Sequence, residues 1–297
     1  MADTILVLGA TGQLGRAIMA RAEHLGLRAV GAARTGSHLD LDLADDEALA
    51  RAVDMVKAAI VVNCAAVVSL DRCQQTPEQA WRVNARAVAV LVESCRATGS
   101  RLVQVSTDHF FTGDGDDLHA EDAPVRLVNE YARTKFAGER YALTAQGGLT
   151  LRTNFTGFRG AATPTFAEWL IGALTRREPL RLFTDFYTST IDCESCAKAM
   201  LDLTLAGATG LYNLAARTCM NKEAFARALA EELEVDLDWA QTGSVASLAT
   251  ARAESLGLDV RRAEAALGYA LPTAREAVAN LACQYRRQEE VAACPPR

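Results

Sequence analysis

Tyr131 and Lys135 stand four residues apart, a spacing that puts two side chains on one face of a helix, one turn from each other. An ammonium held near a phenol favours the phenolate, so the spacing predicts a Tyr131 pKa lowered toward the working pH. Such a pair can exchange a proton with a carbonyl/alcohol couple. Tyr-x-x-x-Lys alone is common, and an exposed helix with one aromatic on its inner edge would show the same spacing. Two further stretches give it weight. Ser106-Thr107-Asp108 precedes it by about one loop, and Gly9-Ala10-Thr11-Gly12-Gln13-Leu14-Gly15 lies near the start of the chain.

Elements must converge to bring these stretches together. Residues 4–8 (Thr-Ile-Leu-Val-Leu) form a continuous apolar run, the pattern of a strand buried on both faces. The glycine turn follows, and residues 15–25 read as a helix. Strand, glycine loop and helix are the context that a dinucleotide fingerprint needs, with backbone amides meeting a pyrophosphate at the helix N-terminus. Gly9, Thr11, Gly12, Gln13, Leu14 and Gly15 are its candidate contacts. The next strand, 28–33, ends in Ala33 and Arg34. An acidic residue there would hold a ribose 2'-hydroxyl, whereas Arg34 suits a 2'-phosphate. The expected cofactor is therefore NADPH, with NADH as the alternative.

Further strands are expected over 59–66, 101–105 and 149–153, with helices over 45–56, 77–98 and 131–143. Ser106 and Thr107 fall at a strand's carboxyl end, where open α/β sheets bind ligands. The segment 110–129 reads as a Gly/Asp-rich loop. Strand–helix alternation up to Asn154 predicts a doubly wound parallel sheet, a Rossmann-type domain over 1–154. After it, mixed helices (166–176, 194–205, 222–233, 261–267, 273–285) and short strands (180–183, 210–214) predict a smaller α/β substrate part over 155–297. Some of its elements are free to return to the first domain. The last residues, 292–297, read as frayed.

The 297 residues are 50% hydrophobic and 23% charged, enough for a sizeable core, and the net charge is -6. With no Lys/Arg-rich block, nucleic acid is not an expected partner. No apolar run reaches spanning length and the N-terminus shows no signal-peptide pattern, so the expectation is a cytoplasmic protein without a membrane role. Eight cysteines are scattered. Cys193-Glu194-Ser195-Cys196 has half a zinc or redox spacing, but it has no second pair, and no metal is expected.

Taken in order, residues 9–15, Val62-Asn63-Cys64-Ala65-Ala66, 106–108, Tyr131-Ala132-Arg133-Thr134-Lys135-Phe136-Ala137-Gly138-Glu139 and Leu151-Arg152-Thr153-Asn154 resemble the extended short-chain dehydrogenases/reductases. Asp71-Arg72-Cys73, Trp81-Arg82-Val83-Asn84 and residues 210–215 are similar to the dTDP-4-dehydrorhamnose reductase branch. The resemblance implies a Thr107/Tyr131/Lys135 triad, with Tyr131 protonating the oxygen of a carbonyl reduced by NADPH. Lys135 would hold the nicotinamide ribose and depress the Tyr131 pKa, and Thr107 would hydrogen-bond the same oxygen. It also implies adenine near Asp42 and Leu43, cofactor contacts at Cys64, Ala65, Ala66 and Ser106, and Asn84 supporting Lys135 through water. Asn154 would lie near the nicotinamide or the sugar.

The implied substrate is a nucleotide-linked 4-keto-6-deoxy sugar. The family often forms homodimers, and the sequence leaves the oligomeric state open. Two departures fall in the substrate half, since 183–190 and 251–253 lack the prolines usual in that branch. Arg159, Arg176, Arg177, Arg181 and Arg252 are candidate phosphate donors. Two other readings stand beside reduction. One is an NADP-binding regulatory subunit similar to that of methionine adenosyltransferase. The other is a sugar epimerase or dehydratase, which the single acid Asp108 after Thr107 disfavours.

Overall fold

The apolar runs pair with one another and bury both of their faces. In a computed structural model, which describes residues 4–293, they form a seven-stranded parallel sheet. Its strands are β1 (Thr4–Leu8), β2 (Arg28–Ala33), β3 (Leu39–Asp40), β4 (Ile60–Asn63), β5 (Arg101–Val105), β6 (Leu149–Arg152) and β7 (Gly210–Asn213). Across the sheet the order is β7-β6-β5-β4-β1-β2-β3. Sequence order reverses between β1 and β4, the switch point where such sheets open a crevice beyond the strand ends.

The principal helices are α1 (Gln13–His24), α2 (Asp46–Val56), α3 (Ala87–Thr98), α4 (Glu130–Ala142), α5 (Phe166–Arg176), α6 (Cys193–Leu205), α7 (Lys222–Glu232) and α8 (Ala274–Ala293). Side chains alternate across a strand, and β1 shows the result. Ile5 and Val7 join Leu14 and Ile18 of α1 and Met200 of α6 in one core, while Leu6 and Leu8 join Leu49 and Val53 of α2 and Leu91 of α3 in another. A third core is separate from the sheet: Leu170 and Leu174 of α5, Phe225 and Leu229 of α7, and Val278 and Leu281 of α8.

The C-terminal half does return to the first. β7 pairs with β6, Gly210 opposite Leu149 through Asn213 opposite Arg152, and α6 packs against α1. Elsewhere the structure departs from the sequence reading. The helix expected over 77–98 is broken: Pro77–Trp81 is α-helical, Arg82–Arg86 is a π-helical turn, and α3 follows. A short helix, Leu70–Gln75, precedes it. The run 59–66 leaves the sheet at Asn63. The loop 110–129 contains a two-residue strand, Leu118–His119, paired with Gly257–Leu258. The helix α8 runs to Ala293, two residues into the end expected to be frayed. Residues 1–3 and 294–297 lie outside the described residues, so the readings placed on them do too.

Candidate functional site

The residues expected to hold the cofactor and to form the triad sit at the carboxyl edge of the parallel sheet or on a helix facing it. The glycine loop joins β1 to α1. Arg34 follows β2 and is exposed, and Asp42 and Leu43 follow β3. Asp42 caps its own turn by accepting from the Ala44 amide at 2.9 Å, whereas Leu43 is buried in the core. Cys64, Ala65 and Ala66 follow β4, Ser106 and Thr107 follow β5, and Asn154 follows β6. The loop is closed down tightly. A Cβ at Gly15 would strike the Gly9 carbonyl oxygen and lie 2.8 Å from Ala10 Cα, and one at Gly9, whose φ is +83°, would lie 2.9 Å from the Ala65 nitrogen. Only glycine fits both places.

The first turn of α1 is chemically distinctive. Asp45, Asn129, Thr165, Asp192 and Asn221 cap α2, α4, α5, α6 and α7 with side-chain acceptors, but α1 begins at Gly12 with none and carries no acid in its first turn. Its orphan amides and positive dipole end therefore suit a bound pyrophosphate.

The candidate triad comes together on α4 and the end of β5. Asn129 caps α4 by accepting from the Ala132 amide at 2.9 Å, while its own amide donates to the Ala251 carbonyl at 3.0 Å. The helix start is thereby tied to the substrate half. Tyr131, Lys135 and Thr107 are all buried. Lys135 Nζ donates to the Val105 carbonyl at 2.7 Å, at the end of β5. Burial pulls the Lys135 pKa down to about 8, against the opposing pull of Glu139.

Tyr131 departs from the expected direction. Burial raises its pKa well above that of an ordinary phenol, and the Thr107 hydroxyl offsets only part of the rise. Desolvation of the phenolate outweighs a lysine whose ammonium is committed to a carbonyl. The shift favours the protonated phenol.

Other sequence-predicted residues prove to be positioning groups. Both amide hydrogens of Asn84 are used, on the Val67 carbonyl (3.0 Å) and Thr134 Oγ1 (3.1 Å), and its Oδ1 accepts from the Val67 amide at 2.8 Å. The π turn aims this brace at α4. Gly138 lets α4 approach it, since a Cβ there would strike the Asn84 carbonyl. Ser106 donates to Glu139 at 2.7 Å rather than facing the cleft. Glu139 also accepts two bonds from Arg152, at 2.7 and 3.0 Å, and the guanidinium lies 5.2 Å from the centre of the Phe110 ring.

The opposite wall holds charges that the sequence reading did not assign. Asp108 is 1% exposed and accepts from Asn154 Nδ2 at 2.6 Å, and burial raises its pKa to about 7. Asn154 in turn accepts from Thr190 at 2.8 Å, so the segment that lacks the expected proline anchors it. His109 packs edge-on to Tyr131, with ring centres 5.5 Å apart. Burial first, then Arg252 and Lys222, push its pKa down to about 4, and its Nδ1 and the Arg252 Nε are buried without partners among the described residues. Lys222, the first residue of α7, lies over the rings of Phe166 (4.4 Å), Phe186 (5.6 Å) and Phe225 (5.6 Å). Burial lowers its pKa to about 8, while Asp108 pulls the other way. A signal was available: a lysine opening a helix faces the dipole's unfavourable end.

The structure disperses the remaining candidates. Arg176 and Arg177 pair with Glu178 and Asp238 on the surface, Arg181 is exposed, and Arg159 lies by α1. Arg252 alone stands beside His109. Cys193 and Cys196 lie on the first turn of α6 and are buried in the core, with burial pushing the Cys196 thiol up to about 12. They pack as small apolar side chains.

Comparison with known proteins fits this geometry. A family model described as the RmlD substrate binding domain matches residues 3–287. The chain is 28% identical over 287 residues to a probable low-salt glycan biosynthesis reductase of Haloferax volcanii, covering 93% of this chain and 96% of that one. It is 33% identical over 215 residues to a dTDP-4-dehydrorhamnose reductase of Streptomyces griseus, covering 70% and 69%. Among solved structures, a dTDP-4-dehydrorhamnose reductase of Bacillus anthracis in complex with NADP superposes with a TM-score of 0.85. It is 20% identical, covers 95% of this chain and 98% of that one, and shares the fold.

Proposed function

We infer that this chain, which belongs to the RmlD substrate binding domain family, reduces the carbonyl of a nucleotide-linked 4-keto-6-deoxy sugar with NADPH. One observation carries the reading: Thr107, Tyr131 and Lys135 converge in a buried cleft at the strand ends that also carry an uncapped glycine-loop helix. Gly9 to Gly15 and the first amides of α1 suit the pyrophosphate, and Arg34 suits a 2'-phosphate. When bound, the cofactor supplies hydride to the carbonyl carbon.

The chain's own residues handle the oxygen. Tyr131, kept protonated by burial, gives its proton to the developing alkoxide, and Thr107 donates a hydrogen bond to the same atom. The Lys135 ammonium, fixed by Val105, stabilises the phenolate left behind. Asp108 and His109 border the reacting position, and Lys222 and Arg252 supply positive charge toward an anionic substrate.

The test is NADPH oxidation against a panel of nucleotide-linked 4-keto-6-deoxy sugars, with Tyr131→Phe alongside. The expected outcome is turnover on one member, cut by about 10²–10⁴-fold in the variant with NADPH binding kept. Tight NADPH binding with no turnover on any sugar would refute the reductase and favour a regulatory role.

A further inference from the structure

A second cleft lies outside the candidate site. It is ≈ 790 Å³ in volume and runs between the N-terminal halves of α1 and α6, closed by residues 158–160 and by α8. Its walls carry Arg16 and Arg21 from α1, Arg159 from the closing segment, and Lys198 with Glu194 from α6. This is a concentration of positive charge in a chain whose net charge is -6.

Little of that charge is answered locally. Glu194 is already paired with Arg287 at 3.0 Å. Arg21 and Lys198 share Asp202, at 3.8 and 2.8 Å. Among the described residues Arg16 and Arg159 have no carboxylate partner, and each spends one bond on a backbone carbonyl, Arg16 on Thr11 and Arg159 on Thr163. The Nε–H groups of both Arg21 and Arg159 are buried with no acceptor. Arg16, Arg21 and Arg159 line one cleft together with Lys198, and guanidinium forks match phosphate oxygens.

We propose that this cleft binds a small multiply charged anion of the phosphate class, either inorganic pyrophosphate or a phosphorylated metabolite. It is a separate site from the glycine loop, but the two meet at Gln13. That residue begins α1 on one side and lines the cleft on the other, and its Oε1 accepts from the Gly157 amide at 2.9 Å.

Calorimetric titration of the full chain with pyrophosphate, and separately with a hexose phosphate, tests the proposal. Wild type is expected to bind at least one of them more tightly than about 1 mM. Arg16→Glu, at an exposed position, and Arg159→Gln are each expected to weaken binding at least about tenfold, a loss of about 1.4 kcal/mol. Binding should persist when the protein is saturated with NADP⁺. A preference for the hexose phosphate would name an organic ligand, and a preference for pyrophosphate an inorganic one.

Three results would overturn the proposal: no binding by wild type, binding that both variants retain, or binding abolished by NADP⁺, which would place the anion on the glycine loop. If NADP⁺ itself does not bind, the reductase reading fails, while the two arginine variants still decide the cleft.

Discussion

Gly138 sits where α4 crosses the π turn, and replacing it by alanine is a sharp perturbation of the candidate site. The added Cβ would collide with the Asn84 carbonyl oxygen and lie 3.3 Å from both the Asn84 carbonyl carbon and Val88 Cγ2. The obstacle is backbone, held by the Asn84 side chain on Val67 and Thr134, so no flexible side chain can swing aside. Helix and turn must separate by about 1 Å to restore an ordinary contact, and overpacking of this kind costs about 1–3 kcal/mol. Alanine's better helix propensity returns roughly 1 kcal/mol, leaving a net loss of up to about 2 kcal/mol. Function should suffer more, because Tyr131 and Lys135 ride on the displaced helix and a 1 Å misplacement can cost about 10²-fold in rate. Urea unfolding followed by circular dichroism gives the first quantity, and initial rates of NADPH oxidation give the second. A Gly138→Ala protein that is more stable than wild type and fully active would show that the contact is slack and the argument wrong.

Other expectations follow from the same interactions. Arg152→Met should destabilise by about 3–5 kcal/mol, because it strands the Glu139 carboxylate, 1% exposed, with only Ser106 to answer it; adding Glu139→Leu should recover much of that loss in urea titrations. Folded Lys135 and Lys222 release their protons near 8, against about 10.4 in an unfolded chain. Between those values the unfolded state binds more protons, so stability rises with pH there. Lys222→Met should lower that slope by up to about 1.4 kcal/mol per pH unit, read from unfolding curves between pH 8 and 10; an unchanged slope would refute the lowered Lys222 pKa. Arg34→Ala should raise the Kd for NADPH while leaving that for NADH nearly unchanged, measured by fluorescence titration.

What the sequence discloses depends on how local each cause is. The strands β1, β4, β5 and β6 were legible because burial on both faces writes itself as a continuous apolar run, whereas the two-residue β3 was not expected. The glycine loop was legible because its strand, turn and helix are consecutive, and Gly15 is crowded by Gly9 and Ala10, although Gly9 itself meets the distant Ala65. The π turn was not: residues 82–86 keep helical periodicity, and the extra residue answers to Val67 and Gly138, distant in sequence. The strand Leu118–His119 has only two residues and exists because Gly257 and Leu258 lie alongside it. Tyr131 lies on the expected helix, yet its pKa shifts opposite to the expected direction, because the spacing to Lys135 is local whereas burial is set by the whole fold. Lys222 went unassigned for a similar reason, since its aromatic surroundings come from residues 166, 186 and 225.

The pairing of β7 with β6 bears on how the protein is made. Residues 1–154 contain the glycine loop and the candidate triad, but β6 is completed only by residues 210–213. An unpaired, apolar edge strand invites association with other chains. During synthesis that edge stays open for as long as the intervening residues take to emerge, on the order of several seconds at cellular elongation rates. A nascent chain of this kind is a natural client for a chaperone during that interval. A fragment cut after Asn154 would carry the open edge permanently, and is expected to aggregate when expressed alone.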